Sequence, residues 1–101
     1  MIESFANETT CKLFRGEQLS RKEAKGMGDL NIIRAFERLA ILNRSDEKSL
    51  LLTPFLHYHR LKGTSLYSID AESRKSKWRI TFAWDNEEKT DVRLVKIENT
   101  H

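Results

Sequence analysis

The spacing of apolar residues changes at the chain's single proline, Pro54. Before Pro54, apolar residues recur every three or four positions, the period of a helix. After it they alternate with polar residues, the period of a strand. The sequence therefore predicts an α+β fold with one domain over residues 1–101. Because a sheet must bury one face, we expect the helices to pack on one face of an antiparallel-dominated sheet.

The strongest helix signal lies between Asp29 and Asn43, and Asp29 has a side chain suited to an N-cap. We expect its apolar stripe to pack against the sheet near Trp78 or Ile80, with Phe36 in the core. The charged residues of this helix, Arg34, Glu37 and Arg38, should then face solvent. The stripe consists of Ile32, Ile33, Phe36, Leu39 and Ala40.

Weaker signals predict two shorter helices, at residues 7–16 and 20–25, after a possible short strand at 2–6. The strands of the second half are expected at 59–62, 67–71, 78–85 and 92–97, with a turn at 85–89 between the last two. The clearest of them is 78–85, where aromatic and aliphatic side chains alternate with Arg79, Thr81 and Ala83.

Composition favours a soluble, cytoplasmic protein with no membrane contact. Hydrophobic residues make up 39% and charged residues 33% of the chain, which fits a globular domain. No apolar run approaches the ~20 residues of a membrane helix. The first residues lack the pattern of a secretion signal. The single cysteine, Cys11, cannot form an internal disulfide, as expected in a reducing compartment.

Motif spacing argues against cofactor and metal chemistry. His57 and His59 are two residues apart and there is only one cysteine, so no metal site is expected. No glycine-rich phosphate loop and no nucleophile elbow is present. We therefore expect no cofactor and no hydrolase triad.

Charge is unevenly distributed. The net charge is only +3, but residues 60–79 are strongly basic and the sign reverses after residue 85. Such a patch is typical of a polyanion-binding surface, although charge alone favours a solvated surface. The basic residues of the patch are Arg60, Lys62, Arg74, Lys75, Lys77 and Arg79.

Histidine and arginine are the residue types left for chemistry. Metal-free RNA cleavage needs a base for the 2′-OH, a cation for the phosphate and an acid for the 5′-oxygen. Histidine suits both proton roles and arginine suits the phosphate. The chain has three histidines, His57, His59 and His101. Taken alone, each is better explained by a surface or hydrogen-bonding role.

Three blocks together resemble the HigB branch of the RelE/ParE toxin superfamily. They are His-Arg-Leu-Lys-Gly at 59–63, Leu-Tyr-Ser-Ile at 66–69 and Trp-Arg-Ile-Thr-Phe at 78–82. The Met-Ile start with Ser-Phe at 4–5, the Asp-Val at 91–92 and the final histidine also fit. The resemblance covers essentially the whole chain.

The resemblance implies a RelE/ParE-like, microbial RNase-like fold and the toxin of a type II toxin–antitoxin system. Such a toxin is an endoribonuclease that cuts mRNA in the ribosomal A site and inhibits translation. A HigA-like helix-turn-helix antitoxin neutralises it, and the toxin meets operator DNA only through that antitoxin. By position, His59, Arg79 and His101 take the catalytic places. We expect the RNA and ribosome contacts from Arg60, Lys62, Arg74, Lys75 and Lys77.

Two features depart from the family pattern. Asn99 and Thr100 stand where the family usually has an acidic residue and a tyrosine, and the segment 70–77 is longer and more basic than usual. Two alternatives therefore stay open. One is a ParE-like inhibitor that blocks DNA gyrase by binding without cutting. The other is a degenerate, inactive toxin.

Overall fold

The computed structural model describes residues 1–100, so the catalytic prediction for His101 lies outside the described residues. Residues 1–100 form an α+β fold, as predicted, with a sheet of four antiparallel strands in the order β1-β2-β3-β4. No helix formed by these residues combines the length and the apolar character that a bilayer crossing requires. The elements are α1 Glu8–Phe14, α2 Arg21–Gly26, α3 Ile32–Asn43, α4 Glu47–Leu51, a 3-10 helix Pro54–Leu56, β1 His59–Arg60, β2 Tyr67–Asp70, β3 Trp78–Trp84 and β4 Val92–Asn99.

Each α-helix begins at a polar side chain that accepts a backbone N–H of the first turn. Asn7 caps α1 and Ser20 caps α2, where Glu23 completes a reciprocal capping box. The two short helices predicted from the sequence are thus confirmed. The helix α4 and the 3-10 helix were not predicted, because five and three residues are too few to show a helical period.

The start predicted for α3 was two residues too early. Asn31, and not Asp29, caps the helix by accepting the backbone N–H of Arg34. The Asp29 carboxylate instead accepts a hydrogen bond of 2.9 Å from the indole N–H of Trp78. Asp29 therefore joins the segment before α3 to the first residue of β3.

The predicted packing of α3 is wrong for Ile33 and Phe36, which are 76% and 41% exposed. It is confirmed for Leu39, which is buried in the core. The helix is rotated, and it buries a face spaced at three and four residues that includes Leu39. This buried face consists of Ala35, Arg38, Leu39 and Leu42.

Arg38 explains the rotation, since it was expected in solvent and is buried instead. Its guanidinium donates to the carbonyl oxygens of Asp70 at 3.2 Å and Glu72 at 2.8 Å. It also lies over the Phe55 ring, 4.7 Å from the centroid. Burial lowers the pKa of Arg38 from its ordinary value. These bonds satisfy a buried carbonyl group at the end of β2 and a partly buried one two residues later, and leaving them unpaired would cost free energy.

The two faces of β3 differ in chemistry. Ile80 and Phe82 are buried on one face, in the same apolar cluster as Leu39 and Leu42 of α3. We call the other face the polar face, and the strand register determines which side chains lie on it. Ser68 pairs with Thr81, and Asp70 pairs with Arg79, so these four side chains point to the same side of the sheet. Ser68, Asp70 and Thr81 are buried there.

The predicted strand at 2–6 is reduced to two isolated bridges. Ile2 and Phe5 pair in parallel with Val92 and Val95 of β4. The backbone N–H of Ile2 also donates to the Asn43 side chain at 2.9 Å. The N-terminal segment therefore covers the outer edge of β4 and joins it to the end of α3.

The rotated packing of α3 is tested by comparing two apolar truncations. Leu39→Ala should lower the free energy of unfolding by about 2–5 kcal/mol, because it leaves a cavity in the core. Ile33→Ala should change it by no more than about 0.5 kcal/mol, because the side chain is exposed. Urea unfolding followed by circular dichroism measures both values. Equal losses for the two variants would show that α3 packs through the predicted stripe.

Acid stability depends on Glu23 at the start of α2. The Ser20 backbone N–H, followed by the Lys12 ammonium at 3.1 Å, lowers the pKa of Glu23 from 4.5 to about 2. Its contribution to stability is therefore full above pH 4.5 and is lost as the pH falls toward 2. Glu23→Gln should flatten the fall in unfolding free energy over this range, as measured by urea unfolding at stepped pH. If the unfolding free energy falls with pH equally steeply in Glu23→Gln and in the parent, Glu23 does not cause the loss of stability in acid.

Candidate functional site

A buried carboxylate, that of Asp70 at the end of β2, organises the polar face. Asp70 has no exposed surface. Its Oδ2 lies 2.9 Å from His57 Nδ1, and its Oδ1 lies 3.2 Å from Arg79 Nε and 3.9 Å from Arg74 Nη1. We call these four residues the Asp70 cluster. Neither carboxylate oxygen accepts a well-aligned hydrogen bond from the described residues, so the surrounding positive groups compensate the charge mainly by proximity.

The backbone turns sharply at His57, directly after the 3-10 helix. Its φ of 52° lies in the left-handed region, and its N–H donates to the Pro54 carbonyl at 3.1 Å. This conformation costs a non-glycine residue about 1–2 kcal/mol. The turn sets the imidazole, which is 42% exposed, with Nδ1 against Asp70. Nε2 then lies on the far side of the ring, an arrangement suited to proton transfer.

Tyr58 fixes the segment that carries both described histidines. Its ring stacks on Tyr67, with centroids 5.6 Å apart. Its hydroxyl donates to Glu47 at 2.6 Å and accepts the Trp84 indole N–H at 3.0 Å. Burial, followed by the bond to Glu47, raises the pKa of Tyr58. The positions of His57 and His59 on either side are therefore set by a half-buried aromatic anchor.

His59, the histidine chosen from the sequence, begins β1 and is exposed. It pairs with Ser68, which pairs in turn with Thr81, so its side chain belongs to the polar face. In the tautomer that carries its proton on Nδ1, His59 donates to the His57 carbonyl over 2.8 Å. The structure therefore brings His59 to the same face as Arg79, and it adds His57 beside it.

Arg79 lies on the polar face with its side chain only 15% exposed. Besides Nε on Asp70, its Nη1 donates to the carbonyl oxygens of Ser76 and of Trp78, the latter at 2.9 Å. Its Nη2 donates to the Arg74 carbonyl at 3.5 Å. All three guanidinium nitrogens thus make contacts inside the protein. Arg79 attaches the connection between β2 and β3 to the sheet.

The five residues predicted to contact RNA are exposed and fall into two groups. Arg60 and Lys62 lie at and just after β1, where Arg60 Nε donates to the Thr64 carbonyl at 3.0 Å. The other three lie in the connection between β2 and β3. Two of them, Lys75 and Lys77, line a polar groove of about 400 Å³. The carboxylates of Asp29 and Glu72 line the same groove. Arg60 pairs with Tyr67 and so lies on the face opposite the polar face. Of the five predicted residues, Arg74 is the one that contacts Asp70.

Sequence reasoning missed Asp70 and left the role of His57 open. Asp70 lies in the predicted strand at 67–71, but its pairing with Arg79 depends on strand register. The signal that could have found it is a carboxylate and a guanidinium at facing ends of two alternating strands.

Comparison with known proteins found no match: the chain matches neither a protein-family model nor a curated protein. The interpretation of the site therefore relies on its geometry and on the motif resemblance described above.

Removing the Asp70 carboxylate tests whether it balances buried charge. Asp70→Ala should lower the free energy of unfolding by about 3 kcal/mol, because it leaves the largely buried Arg79 guanidinium without its counter-charge. The control is Asp85→Ala, whose carboxylate is 45% exposed and 4.0 Å from Arg93, and it should cost less than about 1 kcal/mol. Urea unfolding of both variants measures the difference. Similar small losses would mean that the cluster does not stabilise the fold.

Proposed function

We propose that the protein is a toxin of the RelE/HigB type, a metal-independent endoribonuclease that cuts mRNA on the ribosome. The observation that supports this most directly is the grouping of two imidazoles and two guanidiniums on one sheet face. His57 contacts Asp70, His59 contacts the His57 carbonyl, and Arg74 and Arg79 contact the same carboxylate. These are the residue types that RNA cleavage without a metal requires.

The reaction needs two proton transfers and charge stabilisation. A neutral imidazole takes the proton of the 2′-OH, and the 2′-oxygen attacks the adjacent phosphorus. A protonated imidazole gives its proton to the departing 5′-oxygen, which leaves a 2′,3′-cyclic phosphate and a 5′-hydroxyl. His59 and His101 are the family positions for these roles. The Asp70 contact makes His57 a third candidate, oriented with Nε2 away from the carboxylate.

The charge distribution supports a polyanionic partner. The exposed cations of the connection between β2 and β3, Arg74, Lys75 and Lys77, are suited to contact phosphates, and such contacts position an RNA without reading its sequence. Thr100, the last described residue, donates its backbone N–H to the Lys77 carbonyl at 3.0 Å. The end of β4 therefore lies against the basic connection. A ribosome-dependent enzyme of this kind would act in the cytoplasm and be held inactive by a helix-turn-helix antitoxin.

Toe-printing of translating ribosomes with purified protein tests the proposal. The parent chain should cut mRNA within the ribosomal A site. His59→Ala should cut about 10²-fold more slowly, because a proton-transfer group is lost. The control Lys22→Ala, on the exposed side of α2, should cut at the parent rate.

A parent chain that leaves ribosome-bound mRNA intact, at concentrations that inhibit growth, would contradict the proposal. Inhibition of DNA supercoiling by gyrase under the same conditions would then support the ParE-like alternative. A chain without toxicity in either assay would support the degenerate alternative.

A further inference from the structure

Arg79 stands where the family pattern described above has its catalytic arginine. It donates its hydrogen bonds, however, to groups inside the protein. Both N–H groups of Nη1 donate to backbone carbonyls, those of Ser76 and Trp78, while Nε faces Asp70. A guanidinium binds a phosphate most strongly when it donates two parallel N–H hydrogen bonds to it. For Arg79 to do so, it would have to release the connection between β2 and β3 that it attaches to the sheet.

Arg74 lies in that connection, and it differs from Arg79 in exposure and in its distance from Asp70. Its side chain is 61% exposed, and its Nη1 lies 3.9 Å from Asp70 Oδ1, the longest ionic contact of the cluster. Because the Arg74 guanidinium is largely solvated and its contact with Asp70 is long, we expect this pair to contribute little to stability. Arg74 can therefore leave Asp70 at little cost when a phosphate offers charge-assisted hydrogen bonds.

Arg74 and His57, a candidate proton-transfer group, contact the same carboxylate. Asp70 contacts Arg74 through Oδ1 and His57 through Oδ2, so one carboxylate holds the mobile cation and the imidazole next to each other. A phosphate placed at the His57 ring is therefore within reach of the Arg74 side chain. Arg79 contributes by holding the backbone of Arg74, whose carbonyl accepts from Nη2 at 3.5 Å.

We propose that Arg74 is the catalytic residue that stabilises the scissile phosphate, and that Arg79 is a positioning residue acting through Arg74. This inference rests on the ribonuclease function proposed above. Asp70 keeps Arg74 near the imidazole when RNA is absent. The longer and more basic connection at 70–77 is thus the part of the chain that supplies the cation.

The experiment measures single-turnover cleavage of ribosome-bound mRNA. Arg74→Ala should cut at least 10²-fold more slowly, with an unchanged urea unfolding midpoint. Added guanidinium chloride at millimolar concentration should restore part of the rate. The matched control is Arg93→Ala, because Arg93 is 51% exposed and 4.0 Å from the Asp85 carboxylate. It should cut at the parent rate and show no response to guanidinium.

A double-mutant cycle tests the positioning role of Arg79. If Arg79 acts through Arg74, then Arg79→Ala and the double variant should both cut at about the rate of Arg74→Ala, so the two effects are not additive. Additive losses would contradict the positioning role. Should Arg79→Ala fail to fold, the comparison of Arg74→Ala with Arg93→Ala still decides the catalytic assignment.

The result that would overturn the inference is a parent chain that cuts while Arg74→Ala cuts equally fast. In that case the proposed ribonuclease function is still supported, but Arg74 is not the cation that stabilises the scissile phosphate. A parent chain that cuts no ribosome-bound mRNA would instead overturn the proposed function, and this inference with it.

Discussion

A single buried negative charge is the constraint on which the polar half of this structure depends. The Asp70 carboxylate has no exposed surface, and an isolated charge in that position would be too costly to keep. Its neighbours come from separate parts of the chain: His57 follows the 3-10 helix, Arg74 lies in the connection after β2, and Arg79 belongs to β3. The need to balance one charge therefore brings three segments together.

Arg38 joins this arrangement to the helical layer. It donates to the carbonyl oxygens of Asp70 and Glu72 from within α3, so the helix touches the same stretch of backbone from the other side. Buried carbonyl groups need hydrogen-bond donors, so these bonds favour the orientation of α3 that turns Arg38 inward. The apolar residues Ile33 and Phe36 are left outside as a consequence. The inward face of α3 therefore combines the apolar burial of Ala35, Leu39 and Leu42 with the hydrogen bonds of Arg38.

The sequence predicted features that depend on neighbouring residues and missed those that depend on distant ones. The two short helices α1 and α2 and the strand β3 are signalled by neighbouring residues, and the structure confirms them. The inward face of α3 was wrong because Arg38 looks like a solvent residue until its carbonyl partners are known. The pairing of Asp70 with Arg79 was missed because it depends on strand register. For the candidate site, the motifs predicted His59 and Arg79, which lie on one face of the sheet. They did not predict Asp70 or the hydrogen-bond direction at Arg79.

The anchoring of Tyr58 has a consequence for how the site would meet a substrate. Because its ring and hydroxyl are both held, the histidines on either side have little backbone freedom left to lose. The backbone positions that carry the two imidazoles are then set in the folded chain. An RNA bound there would spend little binding energy on ordering this backbone, and the movement left to the cluster would be that of the Arg74 side chain.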